Sequence, residues 1–343
     1  MYHYTPGHSR IIATGAFLPE QRVTSEELMR EIDSLNRFGI PYDWLDQKMG
    51  IRERRVADAG DLPSDMAARA AREAIERAGI DPRRIDAIIY AGIDRDYVEP
   101  ATAHVVQDKI GARNAYCVDV SNACHGFMNG IHLMDALITS GQVRYGLICS
   151  GEQPSRIARH TIERLKRAVT REEFYELVGG LTTGDAGAAM IVGPKRAPVA
   201  GFAGFMLQSE GRHSDLCVYS DRDGRPDGHM HMRDIVRAFV DMHARMFDVC
   251  LRELGWRRED IRLFVHHQVG IRVFHKHARY ARLPVEIMPN TISTLGNITS
   301  ATIPVNLHRL AESGTLRDQD KIFLSGTGSG LSISQSGLIW EAA

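Results

Sequence analysis

Val118-Asp119-Val120-Ser121-Asn122-Ala123-Cys124-His125-Gly126-Phe127-Met128-Asn129-Gly130 is the stretch on which the reading of this chain turns. Val118 and Val120 read as the end of a buried strand. From Gly126 onward, Phe127, Ile131, Met134 and Ile138 recur at helical spacing and form one apolar face. Cys124 therefore stands at a strand-to-helix junction, where the unpaired N–H groups of a first helical turn carry partial positive charge. Such a place stabilises a thiolate and offers hydrogen bonds to an oxyanion beside it. A small apolar side chain in a core fits the same position, and the junction alone leaves both readings open.

Outward from this point the chain alternates helix and strand. Ile11 to Phe17 is a first strand, ended by Leu18-Pro19. Thr24-Ser25-Glu26-Glu27 opens a helix, with Glu27 three residues after Thr24 in capping-box spacing. Ser64 begins a long Ala-rich helix that Gly79 stops. Ile85 to Ala91 is a continuous apolar run, the pattern of a strand covered on both faces. A helix over 104–110, a strand over 115–120, the Gly126–Ser140 helix and a strand over 145–149 follow, which is an α/β layout. Residues 156–180 break the rhythm. They are charged and helical, contain Thr170-Arg171-Glu172-Glu173, and read either as an inserted lid or tunnel wall or as a solvated helix pair.

The second half repeats the first. Ala78-Gly79-Ile80-Asp81-Pro82-Arg83-Arg84-Ile85 matches Leu254-Gly255-Trp256-Arg257-Arg258-Glu259-Asp260-Ile261, each a helix end, a glycine and a charged turn before a buried strand. At the same offset, Tyr145 to Ser150 matches Lys321 to Gly326. An internal duplication follows, with two α/β halves and a site where they meet. The boundaries are 1–195, carrying the cysteine and the insertion 156–180, and 196–343.

The duplication lets strand ends far apart in sequence converge. His266-His267-Gln268 follows the strand 263–265, and Gly296-Asn297-Ile298-Thr299-Ser300 lies between a short strand over Val285 to Met288 and a helix from Ile303. By pseudo-symmetry that second loop corresponds to the one bearing Cys124, so Cys124, His267 and Asn297 can line one pocket. A thiol, an imidazole and a carboxamide suit acyl-thioester chemistry: the thiol accepts the acyl group, and the other two bind a second carbonyl and its enolate. An N–H in Gly326-Thr327-Gly328-Ser329-Gly330, from Gly328 to Gly330, can complete an oxyanion hole. Tunnel-wall candidates are Phe202 to Leu207 and Met230 to Met232.

The totals exclude several classes. The 343 residues carry 42 Lys plus Arg against 43 Asp plus Glu, so no overall basic field draws nucleic acid. The five cysteines include no CxxC pair, so no zinc site or disulfide framework is expected. No apolar run reaches the length of a membrane span, and residues 1–10 lack a signal core. A soluble cytoplasmic protein without a metal is the expectation.

The chain resembles the thiolase-superfamily condensing enzymes of the β-ketoacyl-acyl-carrier-protein synthase III type over nearly its whole length. The carriers are Trp44 to Arg55, Asn122 to Phe127, Thr183 to Ala189, His267-Gln268, Gly296 to Ala301 and Gly326 to Gly330. The resemblance implies a duplicated βαβαβ five-layer sandwich, a homodimer, and coenzyme A or phosphopantetheine thioesters as substrates with no further cofactor. It implies Cys124 as acyl-accepting nucleophile with His267 and Asn297 activating the second substrate. It places Trp44 near the adenine of coenzyme A, with Lys48 where the family often has Arg, and Arg272 at a position associated with carrier-protein docking. Glu99 departs from the synthase pattern, which has an apolar residue before the proline. Together with residues 156–180 it looks more like the olefin-pathway thiolase, in which the matching glutamate enters the partner's site as the α-carbon base. The expected activity is a Claisen condensation of an acyl group on Cys124 with a malonyl or acyl thioester. Transfer of that acyl group to an O or N acceptor, with His267 as general base, is the alternative.

Overall fold

The computed structural model describes residues 2–197, 199–222 and 225–342, without the side chains of 221–227. Two five-stranded sheets dominate. The first runs, edge to edge, Ser9–Phe17, Ala186–Pro194, Gly146–Glu152, Ala87–Tyr90, Tyr116–Asp119. Ala87–Tyr90 lies between two parallel neighbours and is buried at every position, so its apolar run does not alternate. The second sheet runs His3–Pro6, Gly201–His213, Gly330–Ile339, Lys321–Gly328, Leu263–His266. Its last four strands repeat the order and the directions of the first sheet's first four, two antiparallel pairings and then a parallel one.

The backbone carries the duplication further. Gly79 and Gly255 both end their helices in the left-handed region, at φ +62° and +66°. Ala123 and Thr299, non-glycine residues at φ +48° and +49°, stand at that same offset just before the paired helices Gly126–Thr139 and Thr302–Glu312. Such conformations cost energy and hold only where the surroundings impose them.

These two helices fill the space between the sheets. One core joins Phe127, Ile131 and Met134 of the first and Ile303, Val305 and Leu307 of the second to the inner faces of both sheets. Pro63–Ala78 covers the outside of the first sheet. Its alanine stripe (Ala67, Ala70, Ala71, Ala74) permits an approach so close that a side chain on Gly15 would strike the Ala70 carbonyl. Met232–Leu254 and Ile271–Ala281 cover the second. The result is five layers, as expected for a thiolase-like sandwich. No helix of the described residues is long and apolar enough to cross a membrane.

Two expectations are corrected. Residues Val285–Ile287 form a 3-10 turn rather than a strand. Pro284 has no N–H to give a ladder, and Met288 N–H instead closes the turn on the Val285 carbonyl at 3.0 Å. The second sheet finds its fifth strand at the opposite edge, in His3–Pro6. The second concerns Arg52, Arg54 and Arg55, a basic cluster beside Trp44 whose cations the sequence offers to phosphates while the ring stacks on a base: it is not a row of free cations. Arg54 is buried and donates to the Leu181 carbonyl at 2.8 Å and to Ser25 Oγ at 3.1 Å, and Arg55 donates to the Pro19 carbonyl at 2.7 Å. Arg54 thereby ties the antiparallel pair Arg22–Thr24/Glu53–Arg55 to the 3-10 turn Val178–Thr182 that closes the inserted segment. Only Arg52 of the three is exposed.

The insertion is helical, Ser155–Leu165 and Arg171–Leu177, the latter started by a Thr170/Glu173 capping box. Its Phe174 packs at 5.6 Å from both Phe38 and Trp44.

Candidate active site

Cys124, His267 and Asn297 line one narrow cavity, about 60 Å³ in volume. Cys124 comes from the turn before Gly126–Thr139, His267 follows the strand Leu263–His266, and Asn297 lies in the loop before Thr302–Glu312. Thr327, Gly328 and Ser329 form the polar remainder with Cys217. Met230, Met232, Ile235, Val236, Phe239, Val269 and Leu331 make the apolar wall. Met230 and Met232 were expected there. Phe202 and Phe205 instead belong to the core between the sheets: three residues apart, they share the inner face because their strand bulges at Ala203, where its pairing with Gly330–Ile339 shifts register.

Each polar group is set by its neighbours. Asn297 Oδ1 accepts from the Thr299 N–H at 3.0 Å, a bond that the left-handed turn at Thr299 makes reachable. The carboxamide NH2 is left to donate to a ligand. His267 Nδ1 is buried with no hydrogen-bond partner among the described residues. Gln268 serves the frame: its Oε1 accepts from Thr291 and Ile292 N–H, at 3.1 and 3.0 Å, and its Nε2 donates to the Pro289 carbonyl at 2.7 Å.

The cavity is electrically neutral at rest. Burial pushes the Cys124 thiol up, and the nearby Glu152 carboxylate adds to it, so the thiolate expected from the helix terminus is opposed by desolvation. Burial lowers His267 to about 3, with His266 and His125 pushing the same way. A neutral imidazole can take the thiol proton as the sulfur attacks.

Glu152 is the residue that sequence reasoning missed. It ends the strand Gly146–Glu152, is fully buried, and accepts from Ser300 Oγ and from the N–H groups of Ile93 and Asp94. Burial foremost, and then Asp94, raise its carboxyl to about 8. Its only trace in the sequence is an acid closing a continuous apolar strand.

The remaining expected residues lie elsewhere. Glu99 is exposed at the tip of the 97–100 loop, beside Val98, which is 99% exposed. The root of that loop is tied down: Glu152 accepts from its first N–H groups, and Asp96 accepts from Ser64 N–H at 2.9 Å. Trp44 is half-buried, its ring 5.9 Å from that of Tyr175. Lys48 and Arg272 are both exposed. Their helices meet where Gly50 packs on Ile271. Gly328 lines the cavity, pressed on His125 and the Asn122 carbonyl so closely that a Cβ would stand 2.7 and 2.8 Å from them. Gly330 opens the strand Gly330–Ile339 and is not among the residues lining the cavity.

Comparison with known proteins matches the same elements. Residues 118–211 fit the family model of 3-oxoacyl-[acyl-carrier-protein] synthase III, and 251–340 fit the model of its C-terminal part. An acyl-CoA:acyl-CoA alkyltransferase of Xanthomonas campestris is 31% identical over 328 residues, 93% of this chain and 94% of the relative. The chain belongs to the 3-oxoacyl-acyl-carrier-protein synthase III family. It is a condensing enzyme of the acyltransferase class with the thiolase-like fold. Another member, a β-ketoacyl-acyl-carrier-protein synthase III of Laribacter hongkongensis, is 29% identical over 94% of this chain and 96% of its own. Among solved structures, cerulenin-bound OleA of Xanthomonas campestris superposes with a TM-score of 0.91 at 28% identity, covering 98% of both chains. A cysteine-to-serine variant of that OleA, with bound lauric acid and lauroyl-CoA, gives 0.91 at 28% over 98% of this chain and 100% of the other.

Proposed function

We propose that this synthase III family member joins two acyl units through a thioester on Cys124, with 1–195 and 196–343 acting as two thiolase-like halves of a homodimer's subunit. In the first step the Cys124 sulfur bonds the acyl carbon of an acyl-CoA or acyl-carrier thioester. The bond from that carbon to the carrier sulfur breaks, and the thiol proton passes through His267 to the departing thiolate. The Cys124 N–H and one in the Gly328–Gly330 loop meet the oxyanion. In the second step another thioester becomes an enolate, either by loss of CO2 from a malonyl unit or by loss of an α-proton to Glu99 of the partner subunit. Its carbon bonds the acyl carbon, the bond to Cys124 breaks, and a β-ketoacyl thioester leaves. His267 and Asn297 hold the enolate oxygen.

The single observation that carries this reading is the shared cavity of Cys124, His267 and Asn297, with the Asn297 NH2 unclaimed among the described residues. Coenzyme A as carrier is supported by the lauroyl-CoA held in the OleA variant and by the alkyltransferase's name. Trp44 and Lys48 would face its nucleotide, and Arg272 a carrier protein. The exposed apolar tip at Tyr97-Val98, which holds Glu99 away from its own cavity, favours delivery of Glu99 across a dimer.

The test offers acyl-CoA with and without a malonyl thioester and identifies the product by mass. A β-ketoacyl product, and an acyl adduct on the parent enzyme that Cys124→Ala lacks, are expected. An adduct persisting in Cys124→Ala, or an ester or amide product, overturns the reading.

A further inference from the structure

The Gly326–Gly330 run carries a hydroxyl that the condensation does not use. Thr327 lines the cavity with Cys124, His267 and Asn297 and is only 5% exposed. Its Oγ1 lies 2.8 Å from Nε2 of His243, a buried imidazole on the helix Met232–Leu254.

The direction of that bond is fixed from behind. Gln335 Nε2 donates to the His243 carbonyl at 3.0 Å and stands 3.2 Å from His243 Nδ1. A carbonyl oxygen only accepts, so the amide nitrogen of Gln335 faces it, and an amide nitrogen only donates. Nδ1 is therefore the acceptor, and Ser325 Oγ at 3.3 Å serves it as a second donor. In the neutral ring the proton then sits on Nε2 and is donated to Thr327. Thr327 Oγ1 is committed as acceptor, while its own proton has no acceptor among the described residues.

A plain alkyl chain cannot use that proton. Beyond Thr327 the wall is Met232, Ile235, Val236, Phe239 and Leu331, and a buried donor pressed against methylenes carries its full desolvation penalty. The thioester carbonyl and the enolate already have their own donors. We propose that Thr327, held in place by His243, selects acyl groups bearing a hydrogen-bond-accepting oxygen, a hydroxyl or keto group, close to the thioester. The inference rests on the reading of Cys124 as the acyl acceptor.

The experiment times acylation of Cys124 by intact mass, with octanoyl-CoA and with its β-hydroxy counterpart. The parent enzyme should prefer the β-hydroxy thioester by about tenfold. Thr327→Val keeps the shape, loses the donor and should bring the ratio to about one, whereas Thr327→Ser should retain the preference. His243→Leu frees the hydroxyl to turn and should lower the ratio. Equal rates for both thioesters in the parent, or a Thr327→Val enzyme with the parent's ratio, would overturn the inference and leave Cys124 as acceptor. No adduct on Cys124 with either thioester removes both.

Discussion

Asn297 is bridged to Thr183 as a one-step parallel ladder between the two halves of the chain. The Asn297 N–H donates to the Thr182 carbonyl at 2.9 Å, and the Gly184 N–H donates to the Asn297 carbonyl at 3.1 Å. The carboxamide in the cavity thus takes its position from backbone belonging to the other half. The close approach depends on Gly184, where an added Cβ would fall 2.1 Å from the Leu295 carbonyl oxygen and 2.9 Å from Arg54 Cβ.

Gly184→Ala should therefore destabilise the fold by about 1–3 kcal/mol, the range for overpacking a tight site. Because the displaced loop carries Asn297, condensation should fall more than acylation of Cys124. Thermal unfolding and the two rates, measured on one preparation, check this. An unchanged melting temperature would mean the bridge tolerates the methyl group.

The buried ionisable groups give stability a shape in pH. Glu152 is raised to about 8 and Asp94 to about 6, both chiefly by burial. Between the ordinary carboxylate range and those values the folded chain binds more protons than the unfolded one, so stability falls as pH rises through that window. The buried histidines act oppositely. His125 and His266 are lowered to about 4, and His243 and His267 to about 3, by burial. Their contribution is full above the ordinary histidine value and is lost as pH falls towards the lowered ones. Melting temperature should peak near the ordinary histidine value, about 6.5. Glu152→Gln should flatten the alkaline limb and leave the acid limb in place.

The same carboxylate opposes the Cys124 thiolate once it ionises. Alkylation of Cys124 by iodoacetamide should therefore be faster in Glu152→Gln than in the parent above pH about 8, and equal below it, where Glu152 is neutral. A rate–pH profile for the two proteins decides. A constant ratio across the profile would mean that Glu152 acts on the cysteine through packing and not through charge.

What the sequence made legible was whatever repeats or caps. The Cys124 junction, the doubled strand–helix units and the helix starts at Thr24 and Thr170 are written in spacing, and spacing survives folding because it records which face is buried. Val285–Ile287 misled because a short apolar run fits a strand or a turn, and only a neighbour decides. His3–Pro6 joined the second sheet for the converse reason: its partner, Phe205 and its neighbours, lies some two hundred residues on. Glu152, His243 and Gln335 had no spacing to announce them. Each is a single polar residue in an apolar element, and its meaning lies in a partner brought by topology: Ser300, Thr327 and the His243 backbone.

Glu99 distinguishes the two routes to the enolate. As the base, it should be needed only where no carboxylate leaves: Glu99→Ala should lose condensation of two acyl thioesters by about 10²–10⁴-fold, the usual contribution of a general base, and keep decarboxylative condensation with a malonyl thioester. Delivery across a dimer adds a second signature. Cys124→Ala and Glu99→Ala are each inactive in the acyl–acyl reaction, yet a mixed dimer has one site with an intact cysteine and the partner's intact glutamate. Co-expression with two different tags and double purification should restore roughly half the parental activity per dimer, measured as β-ketoacyl product. Parental acyl–acyl activity in Glu99→Ala alone would remove the glutamate from the mechanism. A mixed dimer as inactive as its parents would place the base on the same protomer as the cysteine it serves.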